Sequence, residues 1–233
     1  MLSTKRLVCL ANSRKLNGRC VAGREIGDGS PGPWIRPVSS REHQEVSEYE
    51  RQYEDGSDPQ VLDVLEIRLQ RPWPGTYQTE NWLLDPAYYW VRSGHMDWHD
   101  LQAFVEPDKP LWSDGRSTYH GANDTIPVVE ADLLDTSLRL INAARVDLVV
   151  FAPGEAFGNS KRRVQASFGH AGTDYRFWVT DPVCERKYLA LPNGEHQLGE
   201  CCLTVSLGEP FNGNCNKLVA AVIPAPVGPG RNT

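Results

Sequence analysis

Positive charge and aromatic rings gather at two places in this sequence. The stretch LANSRKLNGRCVAGRE, residues 10–25, and the GPWIRPVS behind it hold Arg14, Lys15, Arg19, Arg24 and Arg36, with Trp34 among them. Residues 161–181, KRRVQASFGHAGTDYRFWVTD, hold Arg162, Arg163, Arg176 and Trp178. Guanidinium and ammonium groups contact phosphate, and an indole stacks on a base, so each set could bind single-stranded nucleic acid.

Local structure decides whether these side chains meet. NSRKLNG reads as a turn between RLVCLA and RCVAG, with Arg14 and Lys15 on it, Arg19 opening the next strand and Gly18 permitting a tight reversal. In PWIRPV, Trp34 and Arg36 fall on one face of a strand, and the flanking prolines imply an edge strand or a strand end. The alternative is a core Trp34, with Arg36 capping it or pairing with an acid. The second stretch reads as a hairpin. If Phe168 pairs with Tyr175, one face is apolar and the other collects Arg163, Gln165, Ser167, Arg176, Trp178 and Thr180. A one-residue slip would exchange those faces, and the alternative is an ordinary half-exposed sheet carrying one surface Trp.

Catalytic signatures are weaker. In HMDWH, His95 and His99 would share one side of a helix, with Asp97 and Asp100 close by, but the metalloprotease Glu and an evident third ligand are missing. LGEPFNGNCNK holds Ser206 just ahead of it and Glu209, Cys215 and Lys217 within it, without a readable nucleophile–base pair. The chain has no P-loop, no GxGxxG and no GxSxG. Neither catalytic residues, nor a metal, nor a cofactor are therefore assigned.

The chain has 233 residues, a net charge of −6 and a pI near 5.5, which argues against a protein coated in basic surface for duplex DNA. One local basic groove remains compatible with that balance. No apolar run approaches the roughly 18 residues that span a bilayer, and the apolar run in MLSTKRLVCLANSRK is too short for a signal-peptide core. A cytoplasmic protein with no membrane partner is expected. The six cysteines form no CxxC and read as reduced, mostly buried thiols, with Cys201 and Cys202 on opposite sides of a strand.

The elements that must position these residues are short strands between 20 Gly and 17 Pro. RLVCLA, GRCVAG, PWIRPV, DVLEIRL, YYWVRS, SLRLI, VDLVVFA, RRVQASF, YRFWVTD, CCLTVSL and KLVAAVI are the candidates, at a spacing that suits sandwiches or small barrels. Helical signal is thin: HMDWHDLQAFV suggests one short helix, and SREHQEVSEYERQY is a solvated helix or a loop. The polar, turn-rich PLWSDGRSTYHGANDTIP is the best junction, dividing the chain into residues 1–118 and 119–233, with a loose, Pro/Gly-rich C-terminal tail.

LVCLANSRKLNGRCVAG, GPWIRPVS, DVLEIRL, YRFWVTDP and VSLGEPFNGNCNKLVAAVI together resemble the dual OB-containing domain family of bacterial proteins, from about Arg6 to about Ile223. An aromatic residue of the family's pattern, just before the lysine matching Lys217, is Asn216 here. The resemblance implies a mainly β fold of two OB-like barrels with a few short helices, and a nucleic-acid-linked role in bacterial defence or mobile-element systems. OB-like barrels bind oligonucleotides across a strand face flanked by loops. The expectation is a non-catalytic module for single-stranded DNA or RNA. Arg14, Lys15, Arg19 and Arg36 would contact phosphates beside Trp34, and Arg162, Arg163 and Arg176 would do so beside Trp178. The alternatives are a scaffold subunit with a protein partner in a multi-component defence complex, and an enzyme acting on a nucleotide or modified base.

Overall fold

The computed structural model describes residues 2–27 and 30–226; the loose tail expected at the C-terminus falls mostly at 227–233, outside them. The first barrel is built from β1 (Ser3–Lys15), β2 (Gly18–Ile26), β3 (Pro31–Val38), β4 (Asp63–Pro72) and β5 (Asn81–Leu84). They close into a ring in the order β1-β2-β3-β5-β4-β1, all antiparallel except β3–β5. The one-turn helix α1 (Glu48–Arg51) lies between β3 and β4, and β6 (Val91–His95) adds to β4 outside the ring. After α2 (Trp98–Leu101), β7 (Thr125–Pro127) and α3 (Val128–Ala131) comes the second barrel. Its strands are β8 (Leu138–Phe151), β9 (Arg163–His170), β10 (Thr173–Val179), β11 (Gly194–Leu207) and β12 (Asn214–Pro224). Their order, β8-β9-β10-β12-β11-β8 with β10–β12 parallel, repeats that of the first. Helix α4 (Pro182–Leu189) lies between β10 and β11, where α1 lies in the first barrel. Two closed five-stranded OB-type barrels result, as the sequence led us to expect.

The continuous apolar run of RLVCLA follows from burial on both faces of β1. Leu7 and Cys9 point into the first barrel beside Val21, Ile35 and Leu65. Val8 and Leu10 point out, into a second apolar cluster with Trp34, Met96, Leu140, Cys202, Ala220 and Ile223. That cluster joins the barrels. The adjacent Cys201 and Cys202 do face opposite ways, one into the second barrel and one into the joint. Backbone bonds sew the joint further: the Arg14 N–H donates to Thr180 O at 2.8 Å, and the Thr204 hydroxyl donates to Leu10 O.

Several elements depart from expectation. SLRLI and VDLVVFA form one strand, β8: its pairing with β11 shifts register between Ala143 and Val146, where Ala144 and Arg145 are exposed, and then continues. Helix α2 starts at Trp98, so His95 ends β6 and shares no helical face with His99. At the opening turn, Leu16 takes the positive φ of 47°. Gly18 is needed for close approach instead: a Cβ there would stand 2.7 Å from Val46 O.

The proposed junction is no free linker. The Leu111 N–H donates to the Tyr175 hydroxyl, which donates to Asp114 at 3.0 Å. The buried Lys217 ammonium donates to Ser113 O at 2.7 Å and to Asp114 at 3.1 Å. Ala122 bridges Arg176. The 118/119 position therefore falls inside a strap that coats the second barrel.

Candidate nucleic-acid interface

In the β9–β10 hairpin Tyr175 pairs with Phe168, Arg176 with Ser167 and Trp178 with Gln165. This is the register that places the apolar set inside, where Phe168, Tyr175 and Phe177 pack as one aromatic group. The outer face carries Arg163, Arg176 and Trp178. The Arg163 guanidinium stands 3.9 Å from the centre of the Trp178 ring, and Phe151 stacks against Trp178 at 5.7 Å and 26°. His120 meets both rings edgewise or tilted, and Tyr119, 95% exposed, packs its edge on His120 at 4.8 Å. Arg163, Phe151 and His120 thus surround Trp178, with Arg163 partly exposed and the Tyr119 ring fully exposed beyond them; guanidinium groups stack on bases as aromatic rings do. Partial burial pulls the Arg163 pKa below its usual value, opposed by nearby Glu185. Gln165 is buried beneath the strap, donating to His120 O at 3.0 Å.

Arg162 departs from the expected role. Its guanidinium donates to Asn193 Oδ1 at 2.7 Å and to the carbonyls of Leu189 and Leu191. It caps the C-terminal end of α4, where carbonyls lack helical partners and positive charge is favoured.

The opening cluster divides. Arg14, Lys15 and Arg36 line one cavity of about 220 Å³ at the joint, together with Ser13, Ser206 and Leu218. Arg14 pairs with Glu185 of the second barrel at 2.9 Å, and Lys15 with Glu209 at 3.0 Å. Arg36 is 3% exposed, 3.0 Å from Glu80 and 2.9 Å from the Ser137 hydroxyl. Burial alone would lower the Arg36 pKa, but Cys20 and Glu80 outweigh it and hold the guanidinium above its ordinary value. Arg36 Nε and Nη1 have no hydrogen-bond partner among the described residues. Arg19 lies outside this cavity, its backbone bridged to Val46 at 2.9 Å in both directions. Burial, then Arg51, lowers its pKa.

Trp34 and Arg36 do share a strand face, but that face meets the second barrel and not solvent. Trp34 is 7% exposed and donates through Nε1 to Glu106 at 2.9 Å. With its polar edge satisfied, the ring is buried in the joint, and it is not presented for stacking on a base.

Two features connect the surviving groups. Trp178 is the cross-strand partner of Leu218 on the β10–β12 seam, and Leu218 forms part of the cavity wall. Thr180, two residues beyond Trp178, lines the cavity as well. The aromatic layer and the basic cavity are therefore neighbours on one seam. Phe151, Tyr119 and Leu218 were not singled out by sequence; the aromatic endings of VDLVVF and STYH were the available signal.

No helix among the described residues is long and apolar enough to cross a membrane. No curated protein and no solved structure matches this chain. Residues 5–222 match the family described as the Dual OB-containing domain, nearly the whole length of the chain. With two closed barrels of matching strand order and a family match that spans both, the chain belongs to the Dual OB-containing domain family.

Proposed function

We propose that this protein is a non-catalytic binding module for single-stranded nucleic acid, and that the strand lies along the joint between the barrels. The observation that carries this reading is the Trp178–Leu218 pairing, which sets an Arg-capped aromatic layer directly beside a cavity with three basic side chains. Stacking at such a layer contributes about 1–3 kcal/mol per base. Arg163 and Arg176 would contact phosphates on the second barrel, and Arg14 and Lys15 would do so at the joint. Each contact requires Arg14 and Lys15 to exchange a carboxylate for a phosphate, which suits reversible binding. Anisotropy titration of labelled single-stranded DNA and RNA at low and moderate salt tests the reading. Binding that weakens steeply with salt is expected; no binding at low salt sinks it.

A further inference from the structure

The geometry points to the cavity at the joint as a site for a phosphate monoester, the terminal phosphate of a nucleotide chain or of a free nucleotide, seated on Arg36. This rests on the reading of the joint as a nucleic-acid groove and specifies which part of the ligand enters it.

The first argument is the state of Arg36. Its Nη2 serves Glu80 and Ser137, while Nε and Nη1 are sealed from solvent without a partner. A buried donor left unmade costs about 1–3 kcal/mol, more for a charged group. Glu80 cannot take up those donors as well, since its carboxylate also accepts from the Ser137 N–H, the Ser137 hydroxyl and Thr136. Arg36 lines the cavity, and an anion there that draws the free edge of the guanidinium towards it would satisfy them.

The second argument is size. Pockets that enclose a whole small ligand run to about 300–1,000 Å³. At about 220 Å³ this one suits an end group more than a complete nucleotide. Leu207 and Leu218 offer apolar wall to a sugar, and Ser13 and Ser206 line the same cavity as the basic groups.

The third is charge. Three cations here already face Glu185, Glu209 and Glu80. A monoester carries about −1.5 to −2 near neutral pH, against a single charge on an internal phosphodiester. The terminal group competes better with carboxylates already in place.

The test compares oligonucleotides of one sequence bearing a hydroxyl or a phosphate at the 5′ end, and a second pair differing at the 3′ end, each labelled at the opposite end. A nucleoside monophosphate and inorganic phosphate are titrated separately by calorimetry. The variants are Arg36→Met with Glu80→Gln, which leaves no buried lone charge, and Lys15→Gln as a milder change at the rim. Wild type should bind one phosphorylated end at least about tenfold tighter than its hydroxyl counterpart. The double variant should lose that preference, and Lys15→Gln should reduce it. Binding of the monophosphate that disappears in the double variant, with no oligonucleotide bound, would assign the site to free nucleotides and refute the strand-binding reading alone. Equal affinity for phosphorylated and hydroxyl ends would overturn the monoester site and leave the groove standing. No binding of any of these probes would overturn both.

Discussion

The Arg163 guanidinium stands 3.9 Å from the centre of the Trp178 ring, at the seam where the second barrel closes. Cation–π contact of this kind contributes about 0.5–2 kcal/mol. It also holds a long, otherwise mobile side chain in one place. The guanidinium is thereby presented to a ligand with part of its entropy already lost.

Replacing Trp178 with Ala removes both the layer and the support for Arg163. Affinity for a single-stranded oligonucleotide should fall by about 1–3 kcal/mol, roughly 5- to 150-fold. Trp34→Phe, at a ring closed inside the joint, should leave affinity unchanged and lower stability by about 1 kcal/mol, because Glu106 loses a donor. Titration and denaturant melts of both variants separate the two tryptophans.

Salt dependence reports the number of phosphate contacts. With Arg14, Lys15, Arg163 and Arg176 engaged, log K should fall with log salt at a slope of about −3 for a single strand, and Arg176→Gln should lessen it by about 0.7. Arg176 is exposed, so this change should not alter melting. A slope unchanged in the variant would remove Arg176 from the contact set.

The Arg36–Glu80 pair gives a stability test. Arg36→Met alone strands a buried carboxylate and should cost about 3–5 kcal/mol, whereas Arg36→Met with Glu80→Gln should recover most of the loss. Urea unfolding of the three proteins measures it. Equal destabilisation by the single and double changes would mean that side-chain packing, not charge, dominates at this position.

Five of the six cysteines are buried and Cys20 is half-buried at the cavity wall. Burial pushes the five buried thiols up from 9.0, Cys201 to about 12 and Cys215 to about 11. These groups keep their protons in the folded chain after an unfolded chain would have lost them. Their stabilising contribution is complete below pH 9 and is lost as pH rises through 9 towards those values. The melting temperature should therefore decline above pH 9. At neutral pH an aromatic disulfide reagent should modify Cys20 alone in the native protein and all six thiols after unfolding. Rapid native modification of several thiols would contradict the burial.

The strands of both barrels were legible where burial is two-sided or strictly alternating, as in RLVCLA and YRFWV. β5 was not, since NWLL is four residues long and its strand character comes from closing the ring against β3. Helix α4 was also missed, although its signal was present: Asp181 caps the Val183 and Cys184 N–H groups and Pro182 opens the first turn. At the site, alternation correctly placed Trp34 beside Arg36 and Arg163 beside Trp178. It could not show that β3 turns its outer face to the other barrel, because periodicity assigns residues to faces without saying what covers each face. The same limit hid the layering of Phe151 and His120 on Trp178, and the role of Arg162 as a cap for α4. These contacts join residues far apart in sequence.

The most direct measurement is an anisotropy titration, at low salt, of one labelled single-stranded oligonucleotide against the wild-type protein and against Arg163→Gln with Trp178→Ala. Saturable binding by the wild type that is lost in the double variant, with both proteins folded, is the predicted result. Equal binding by the two proteins, or none by the wild type, would contradict a nucleic-acid groove at the β10–β12 seam.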